Sequence, residues 1–145
     1  SIVRADRGIE RILREGRGVD IAVFTVGAVK KESLSLNLGQ LEPGEVDALL
    51  RDAVGDACSR FYTHAGTVAL AAIDERTVGI RLEELRSRPV RVLVAGGRTK
   101  TAALETALHM GLATHLVVDH DLALALLDRQ GEAPPSTAGN DALDG

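Results

Sequence analysis

The sequence has 145 residues, 45% of them hydrophobic and 26% charged, with 21 acidic and 17 basic side chains for a formal net charge of -4. This length supports one compact domain but not two. No apolar run approaches the ~20 residues of a membrane-spanning helix and no apolar leader is visible, so we expect a cytoplasmic protein without a membrane partner.

Charge is distributed unevenly along the chain. Residues 76–100 carry seven basic and two acidic side chains, whereas the chain as a whole is acidic. A locally positive segment favours a small anionic ligand over a DNA backbone, which usually needs a strongly basic face. A solvated arginine-rich surface would give the same pattern, and both interpretations stay open at this point.

The first predicted elements are a helix and a strand. Apolar residues at helical spacing predict a short amphipathic helix over residues 8–14, which Gly16 and Gly18 end. Residues 19–26 are almost continuously apolar and β-branched, and Gly27 closes the run. This pattern predicts one strand buried on both faces, as in a parallel sheet.

The middle of the chain is less regular. Residues 30–43 are predicted to form a surface loop, and the next helix begins at Pro43 and ends at Gly55. Residues 57–73 resemble a hairpin with its turn at 64–66.

The last third gives the clearest pattern. It predicts a helix over 82–86, a strand over 90–95, a glycine turn over 96–99, a helix over 100–110, a strand over 115–118 and a helix from Asp119, its N-cap, through Leu127. We therefore predict an α/β fold with a largely parallel sheet flanked by helices, formed by residues 1–129. The prolines and low apolar content of residues 130–145 predict a disordered tail.

The first candidate ligand-binding residues are Gly96, Gly97, Arg98, Thr99 and Lys100. A glycine pair between a strand and a helix lets backbone N–H groups approach an anion at the positive end of the helix, where Lys100 adds a charge and Arg98 a fork. Ligands of open α/β sheets bind at the carboxyl ends of strands, where this turn lies. Alternatively, the glycines form a short connection and the basic residues are solvated.

Two further candidate sites are less specific. Asp56 follows the predicted helix, and its carboxylate could accept hydrogen bonds from sugar hydroxyls; a turn aspartate or an N-cap is the alternative. Gly27 and the loop after it, with Ser33, Ser35 and Asn37, again lie at the carboxyl end of a strand.

Catalytic and metal-binding motifs are missing from the sequence. The four histidines have no HExxH or HxH spacing, and Cys58, the single cysteine, has no neighbouring histidine. We therefore expect no catalytic residue, no metal and no cofactor.

Four motifs occur in one order along the chain: residues 53–62, 74–80 with 82–86, 94–100, and 111–112 with 116–119. Together they resemble the sugar-binding C-terminal domain of the SorC family of bacterial transcriptional regulators. The resemblance implies a fold similar to that of the ribose-phosphate isomerase, glucosamine-phosphate deaminase and CoA-transferase superfamily, and a role as sensor of a phosphorylated sugar.

The resemblance also implies roles for individual residues. Gly96, Gly97 and Lys100 would bind phosphate, Asp56 would contact sugar hydroxyls, and Asn37 aligns with an arginine that helps to hold the ligand in many relatives. Because family members begin with a helix-turn-helix domain and the first half of the effector domain, the chain is expected to be a C-terminal part that reaches DNA only through a domain it does not contain.

The sequence thus predicts a sugar-phosphate-binding effector domain of a bacterial regulator of carbohydrate metabolism, expected to form a homo-oligomer and not to be an enzyme. The alternative from another class is a sugar-phosphate isomerase or deaminase of the same fold, for which Asp56 is the only plausible base. A third alternative is an oligomerisation piece that binds no ligand.

Overall fold

The computed structural model describes residues 6–37 and 41–131. None of the helices within these ranges has the length and apolar composition needed to cross a bilayer. The helices are α1 (Arg7–Arg17), α2 (Leu34–Asn37), α3 (Pro43–Asp52), α4 (Ala71–Arg76), α5 (Leu82–Arg86), α6 (Thr101–His109) and α7 (His120–Gly131). The strands are β1 (Ile21–Phe24), β2 (Val26–Ala28), β3 (Ala53–Ala57), β4 (Arg60–Thr63), β5 (Val90–Ala95) and β6 (His115–Val118), and a 3-10 turn spans Arg98–Lys100.

The strands form two three-stranded sheets. One sheet has the order β1-β5-β6 and is parallel, and the other has the order β2-β3-β4 and is antiparallel. Helix α6 contacts β2 and β3 and also packs against α7. The predicted α/β class with a parallel sheet flanked by helices is confirmed. The sequence did not predict the antiparallel sheet.

The predicted strand over residues 19–26 is two strands, β1 and β2, which belong to different sheets and are separated by Thr25. The predicted burial on both faces is wrong, because Phe24 and Val26 are buried whereas Ile21 and Val23 are 60% and 68% exposed. Successive side chains of a strand point to opposite faces. Only one face of β1 is therefore covered.

The predicted helix from Pro43 to Gly55 ends early, because α3 stops at Asp52 and β3 follows directly. Gly55 lies in β3, where α6 approaches closely: a Cβ on Gly55 would be 2.5 Å from the Ala103 Cβ. Asp56, predicted to come directly after a helix, consequently lies inside a strand.

The hairpin predicted over residues 57–73 has a different form. Strands β3 and β4 pair around a turn at Cys58 and Ser59 rather than at residues 64–66. The turn at 64–66 leads only to an isolated bridge, and the end of the predicted hairpin is the start of α4.

The C-terminal elements agree best with the prediction. Strands β5 and β6 have the predicted bounds. Asp119 caps α7, since its Oδ1 accepts a hydrogen bond of 2.8 Å from the Leu122 N–H. The helix predicted over 100–110 is α6, preceded by the 3-10 turn. Helix α7 reaches Gly131, and the rest of the predicted tail lies outside the described residues.

Two apolar clusters form the core of the described part of the chain. The smaller cluster joins α2, α3, β4 and α4 through Leu36, Leu49, Phe61 and Ile73, so the loop predicted over 30–43 contains a short helix that contributes to the core. The larger cluster lies between the two sheets and α5, α6 and α7. Its buried members are Phe24, Val26, Val54, Ala57, Tyr62, Leu82, Leu85, Leu93, Ala95, Leu104, Ala107, Leu112 and Leu122.

Candidate functional site

A cleft of about 450 Å³ lies where the antiparallel sheet meets the 3-10 turn before α6. Three of the residues predicted to bind ligand, Gly27, Asp56 and Lys100, line this cleft together although they are distant in sequence. The other lining residues come from the β1–β2 junction, β2, the start of α2 with the residue before it, and the β3–β4 turn: Thr25, Val26, Ala28, Ser33, Leu34, Ser35, Cys58 and Ser59.

The Asp56 carboxylate lies over Gly27. The two residues are opposite each other in the antiparallel pairing of β2 with β3. A Cβ on Gly27 would be 2.2 Å from Asp56 Oδ1, so any larger residue would displace the carboxylate. Gly27 belongs to β2 rather than to a loop, and it is needed for the space that it leaves above the strand.

Asp56 and Lys100 place opposite charges in the same cleft. Burial raises the pKa of Asp56, and the Ser59 backbone N–H and the positive charge of Lys100 offset part of that rise. A carboxylate accepts hydrogen bonds from hydroxyl groups, and an ammonium group attracts an anion. The cleft therefore offers a hydrogen-bond acceptor for hydroxyl groups and a positive charge for an anion.

The β3–β4 turn is a part of the cleft that the sequence did not predict. Cys58 and Ser59 have φ values of 54° and 62°, the left-handed conformation that both central residues of a type I′ turn require. Neither residue is the glycine or asparagine that usually indicates such a turn. Burial, together with Asp56, raises the pKa of the Cys58 thiol, which is the opposite of thiolate activation.

The glycine turn adjoins the cleft, but of its predicted residues only Lys100 lines it. Residues 96–99 are exposed. Gly97 has a φ of 89°, and its N–H donates a hydrogen bond of 2.7 Å to Asp119 Oδ2. The N–H groups of Arg98 and Thr99 begin the 3-10 turn, where no carbonyl of that turn can accept from them.

Asn37 supports the cleft from outside. Its Nδ2 donates to the carbonyl oxygens of Lys31 and Ser33 at 2.9 and 2.8 Å, and the side chain is exposed and does not line the cleft. The Ser33 hydroxyl in turn donates to the Ala28 carbonyl at 2.6 Å. These bonds fix the segment that brings Ser33 and Ser35 to the cleft.

The donor set does not suit a metal. In the part of the chain that the structure describes, no group of three or more His, Cys, Asp or Glu side chains could hold a metal ion. Among the described lining residues Asp56 supplies the only carboxylate, and none is a histidine. A carboxylate base in this cleft would therefore be Asp56.

Comparison with known proteins gives a consistent result. The sequence matches the Sugar-bind family model, which describes a sugar-binding domain, over residues 1–128. It is 41% identical over 127 residues to the deoxyribonucleoside regulator of Bacillus subtilis (strain 168), in an alignment that covers 88% of this chain and 41% of that protein.

Solved structures share the fold. A transcriptional regulator from Streptococcus pneumoniae TIGR4 superposes with a TM-score of 0.80 at 28% identity, over 90% of this chain and 50% of that one. The full-length sorbitol operon regulator SorC from Klebsiella pneumoniae has a TM-score of 0.73 at 24% identity, over 86% of this chain and 41% of that one, a likeness of fold alone. The chain thus spans half or less of the length of these relatives.

Proposed function

Because the chain belongs to the Sugar-bind family of sugar-binding domains and is 41% identical to a bacterial regulator, we propose that it binds a phosphorylated sugar and reports its presence to a transcriptional regulator. The predicted sugar-binding domain of a regulator agrees with the family match and with the relative from Bacillus subtilis. The phosphate on the sugar, the residues that bind it and the assembly of the regulator belong to the proposal.

The observation that carries the proposal is the meeting of Asp56 and Lys100 in one cleft. An ionised carboxylate has acceptor sites for two neighbouring sugar hydroxyls, and Ser33 and Ser35 add hydroxyl groups beside it. The volume of the cleft, about 450 Å³, is in the range of small-molecule sites.

The phosphate group would bind at the start of the 3-10 turn. The N–H groups of Arg98 and Thr99 begin this turn, and Lys100 at its end carries a positive charge toward the cleft. Backbone N–H groups at the start of a helix and a lysine point charge are a common combination for phosphate. The sugar would then extend from Lys100 toward Asp56.

A sensor agrees with the site better than an enzyme does. An isomerase or deaminase needs a base placed for proton transfer, and among the described lining residues Asp56 is the only carboxylate and none is a histidine. The relatives named above from Bacillus subtilis and Streptococcus pneumoniae are regulators.

In the full regulator, the domain would shift a cytoplasmic homo-oligomer between two states through a helix-turn-helix domain that contacts DNA. For this, the sugar phosphate must bind one state more tightly than the other, and a coupling free energy of about 1–3 kcal/mol is sufficient.

Calorimetry with Lys100→Ala tests the phosphate site. The titrants are a panel of sugar phosphates, their unphosphorylated sugars and inorganic phosphate, and Lys31→Ala is the matched control, since Lys31 is exposed and does not line the cleft. We expect Lys100→Ala to lose about 1.5–3 kcal/mol, roughly 10- to 150-fold in affinity, for the phosphorylated ligands, because a charge-assisted contact is removed. Lys31→Ala should bind like the parent.

If Lys100→Ala and Lys31→Ala lose the same affinity, or if neither loses any, the role of Lys100 is contradicted. Tighter binding of unphosphorylated sugars would contradict the phosphate. Turnover of a sugar phosphate by the parent would establish the enzyme alternative. If the folded parent binds none of the titrants, the alternative of an oligomerisation piece without a ligand is favoured.

A further inference from the structure

Asp119 connects the glycine turn to the last helix. Its Oδ2 accepts a hydrogen bond of 2.7 Å from the Gly97 N–H, and its Oδ1 accepts one of 2.8 Å from the Leu122 N–H in the first turn of α7. These two N–H groups lower the pKa of Asp119, so the carboxylate is ionised at neutral pH. One carboxylate therefore connects the glycine turn, which follows β5, to α7, which follows β6.

The register of the parallel sheet creates this contact. Ala95 and Val118 are opposite each other in the β5–β6 pairing, so the next residues, Gly96 and Asp119, leave the sheet side by side. A Cβ on Gly96 would be 2.8 Å from Asp119 Oδ2, which means that the carboxylate occupies the space above this glycine. Gly96 thus leaves the space that the Asp119 carboxylate needs.

Asp119 does not line the cleft, and the 3-10 turn contacts both β2 and α7. Strand β5 lies between β1 and β6 in the sheet, and the cleft is lined by β2, which continues from β1, whereas Asp119 follows β6. The carboxylate accepts hydrogen bonds from the Gly97 and Leu122 N–H groups and not from those of Arg98 and Thr99.

From this geometry we infer that Asp119 is a positioning residue, which fixes the glycine turn for an anion and transmits occupation of the turn to the first turn of α7. The inference rests on the proposed function, because the anion is the phosphate of the bound sugar. An anion that orders residues 97–100 also orders the Gly97–Asp119 contact. The same carboxylate caps α7, so the start of α7 becomes more rigid when the turn is occupied.

Amide hydrogen exchange with inorganic phosphate as the probe tests this inference. In the parent, phosphate should slow exchange both at residues 98–101 and at the N–H groups of Leu122 and Ala123, which bond to Asp119. Asp119→Ser keeps a good N-cap for α7 but is too short to reach Gly97. In this variant we expect phosphate to bind roughly 2- to 10-fold more weakly, the effect of one hydrogen bond, and to leave exchange in α7 unchanged.

Two further variants complete the test. Asp121→Ser removes the same charge from the first turn of α7, but its side chain is 73% exposed, so this variant should behave like the parent. Gly96→Ala disturbs the same contact from the turn, since the new Cβ would displace Asp119 Oδ2. In this variant too, phosphate should leave amide exchange in α7 unchanged. Gly96→Ala therefore tests the inference even if Asp119→Ser does not fold.

The outcomes are distinguishable. If phosphate protects residues 98–101 in the parent but never changes α7, or if Asp119→Ser responds like the parent, the transmission through Asp119 is wrong while the proposed phosphate site stands. If phosphate changes exchange nowhere in the folded parent, the proposed phosphate site is wrong and the inference fails with it.

Discussion

Gly27 and Asp56 show how a single missing side chain shapes the cleft. Both were candidates from sequence, but for separate reasons: a loop after a strand and a carboxylate after a helix. The structure makes them cross-strand neighbours, and the carboxylate uses the space that Gly27 leaves. The glycine and the carboxylate are therefore one functional unit.

Gly27→Ala should damage both the cleft and the fold. The new Cβ would be 2.2 Å from Asp56 Oδ1, so the carboxylate must rotate away. We expect a loss of roughly 1–3 kcal/mol in the free energy of unfolding, measured with urea, and weaker binding of sugar phosphates. Gly44→Ala is the control, since nothing lies within 4 Å of its added Cβ, and it should be at least as stable as the parent because Ala favours a helix over Gly. A Gly27→Ala variant with parental affinity would contradict the described position of Asp56.

Asp56→Asn should separate binding from stability. Burial raises the pKa of Asp56 above its unfolded value, so the parent is relatively more stable when this group is protonated and loses that advantage as the pH rises through the folded pKa. Asparagine does not ionise, so Asp56→Asn does not lose this stability as the pH rises. We therefore expect Asp56→Asn to gain stability relative to the parent between acidic and neutral pH, while its affinity for sugar phosphates falls.

Denaturant midpoints across this pH range and calorimetry at neutral pH measure the two effects. Asp47→Asn, at an exposed position of α3, is the control and should change neither. An Asp56→Asn variant that binds like the parent would contradict the hydroxyl-binding role.

At the scale of elements, a buried arginine holds α4 and the segment after it. The Arg60 side chain is 1% exposed, and its Nη1 forms a salt bridge of 3.0 Å with Asp74 Oδ1. Its guanidinium also donates to four main-chain carbonyls, those of Asp74, Thr77, Gly79 and Ile80. Strand β4 is thereby tied to the end of α4 and to the connection that leads to α5.

Arg60→Met should destabilise the chain by about 3–5 kcal/mol, because Asp74 and several carbonyls lose their partner inside the protein. Arg60→Lys should recover only a part of this loss, since an ammonium group cannot reproduce the planar fork. The control is Arg51→Met, whose ion pair with Asp52 is exposed and is expected to contribute less than about 1 kcal/mol. Urea unfolding measures all three, and similar losses for Arg60→Met and Arg51→Met would overturn the structural role of Arg60.

At the scale of the whole molecule, one face of the parallel sheet is apolar and exposed. Ile21 and Val23 of β1, Val94 of β5 and Val117 of β6 are 60%, 68%, 42% and 53% exposed. Parallel sheets are normally covered on both faces. This chain spans half or less of its relatives, so the apolar face is an expected site of contact with further protein.

We expect the chain to associate with itself through this face. Light scattering at about 10–100 µM should show a mass that rises with concentration, since exposed apolar surface and open strand edges favour association in this range. Val23→Arg should reduce the association. Val78→Arg, at a position that is 41% exposed and outside the parallel sheet, should not. A stable monomer over the whole range would contradict this prediction.

The sequence by itself determined the elements whose signals are local. The β-branched run of β5, the glycine turn, the short strand β6 and the Asp119 cap are patterns of a few consecutive residues, and the structure contains them at the predicted positions. Four ordered motifs were also sufficient for the family, because their order and spacing are properties of the sequence itself.

Only the tertiary structure decided how these elements form the cleft. Residues 53–57 carry no pattern that separates a helix end from a strand, and they are a strand because β2 and β4 pair with them on both sides. The break at Thr25, the left-handed turn at Cys58 and Ser59 and the contact of Asp119 with Gly97 likewise depend on partners distant in the chain. Strand pairing and close packing are set by residues far apart in sequence, so local periodicity could not predict which side chains meet.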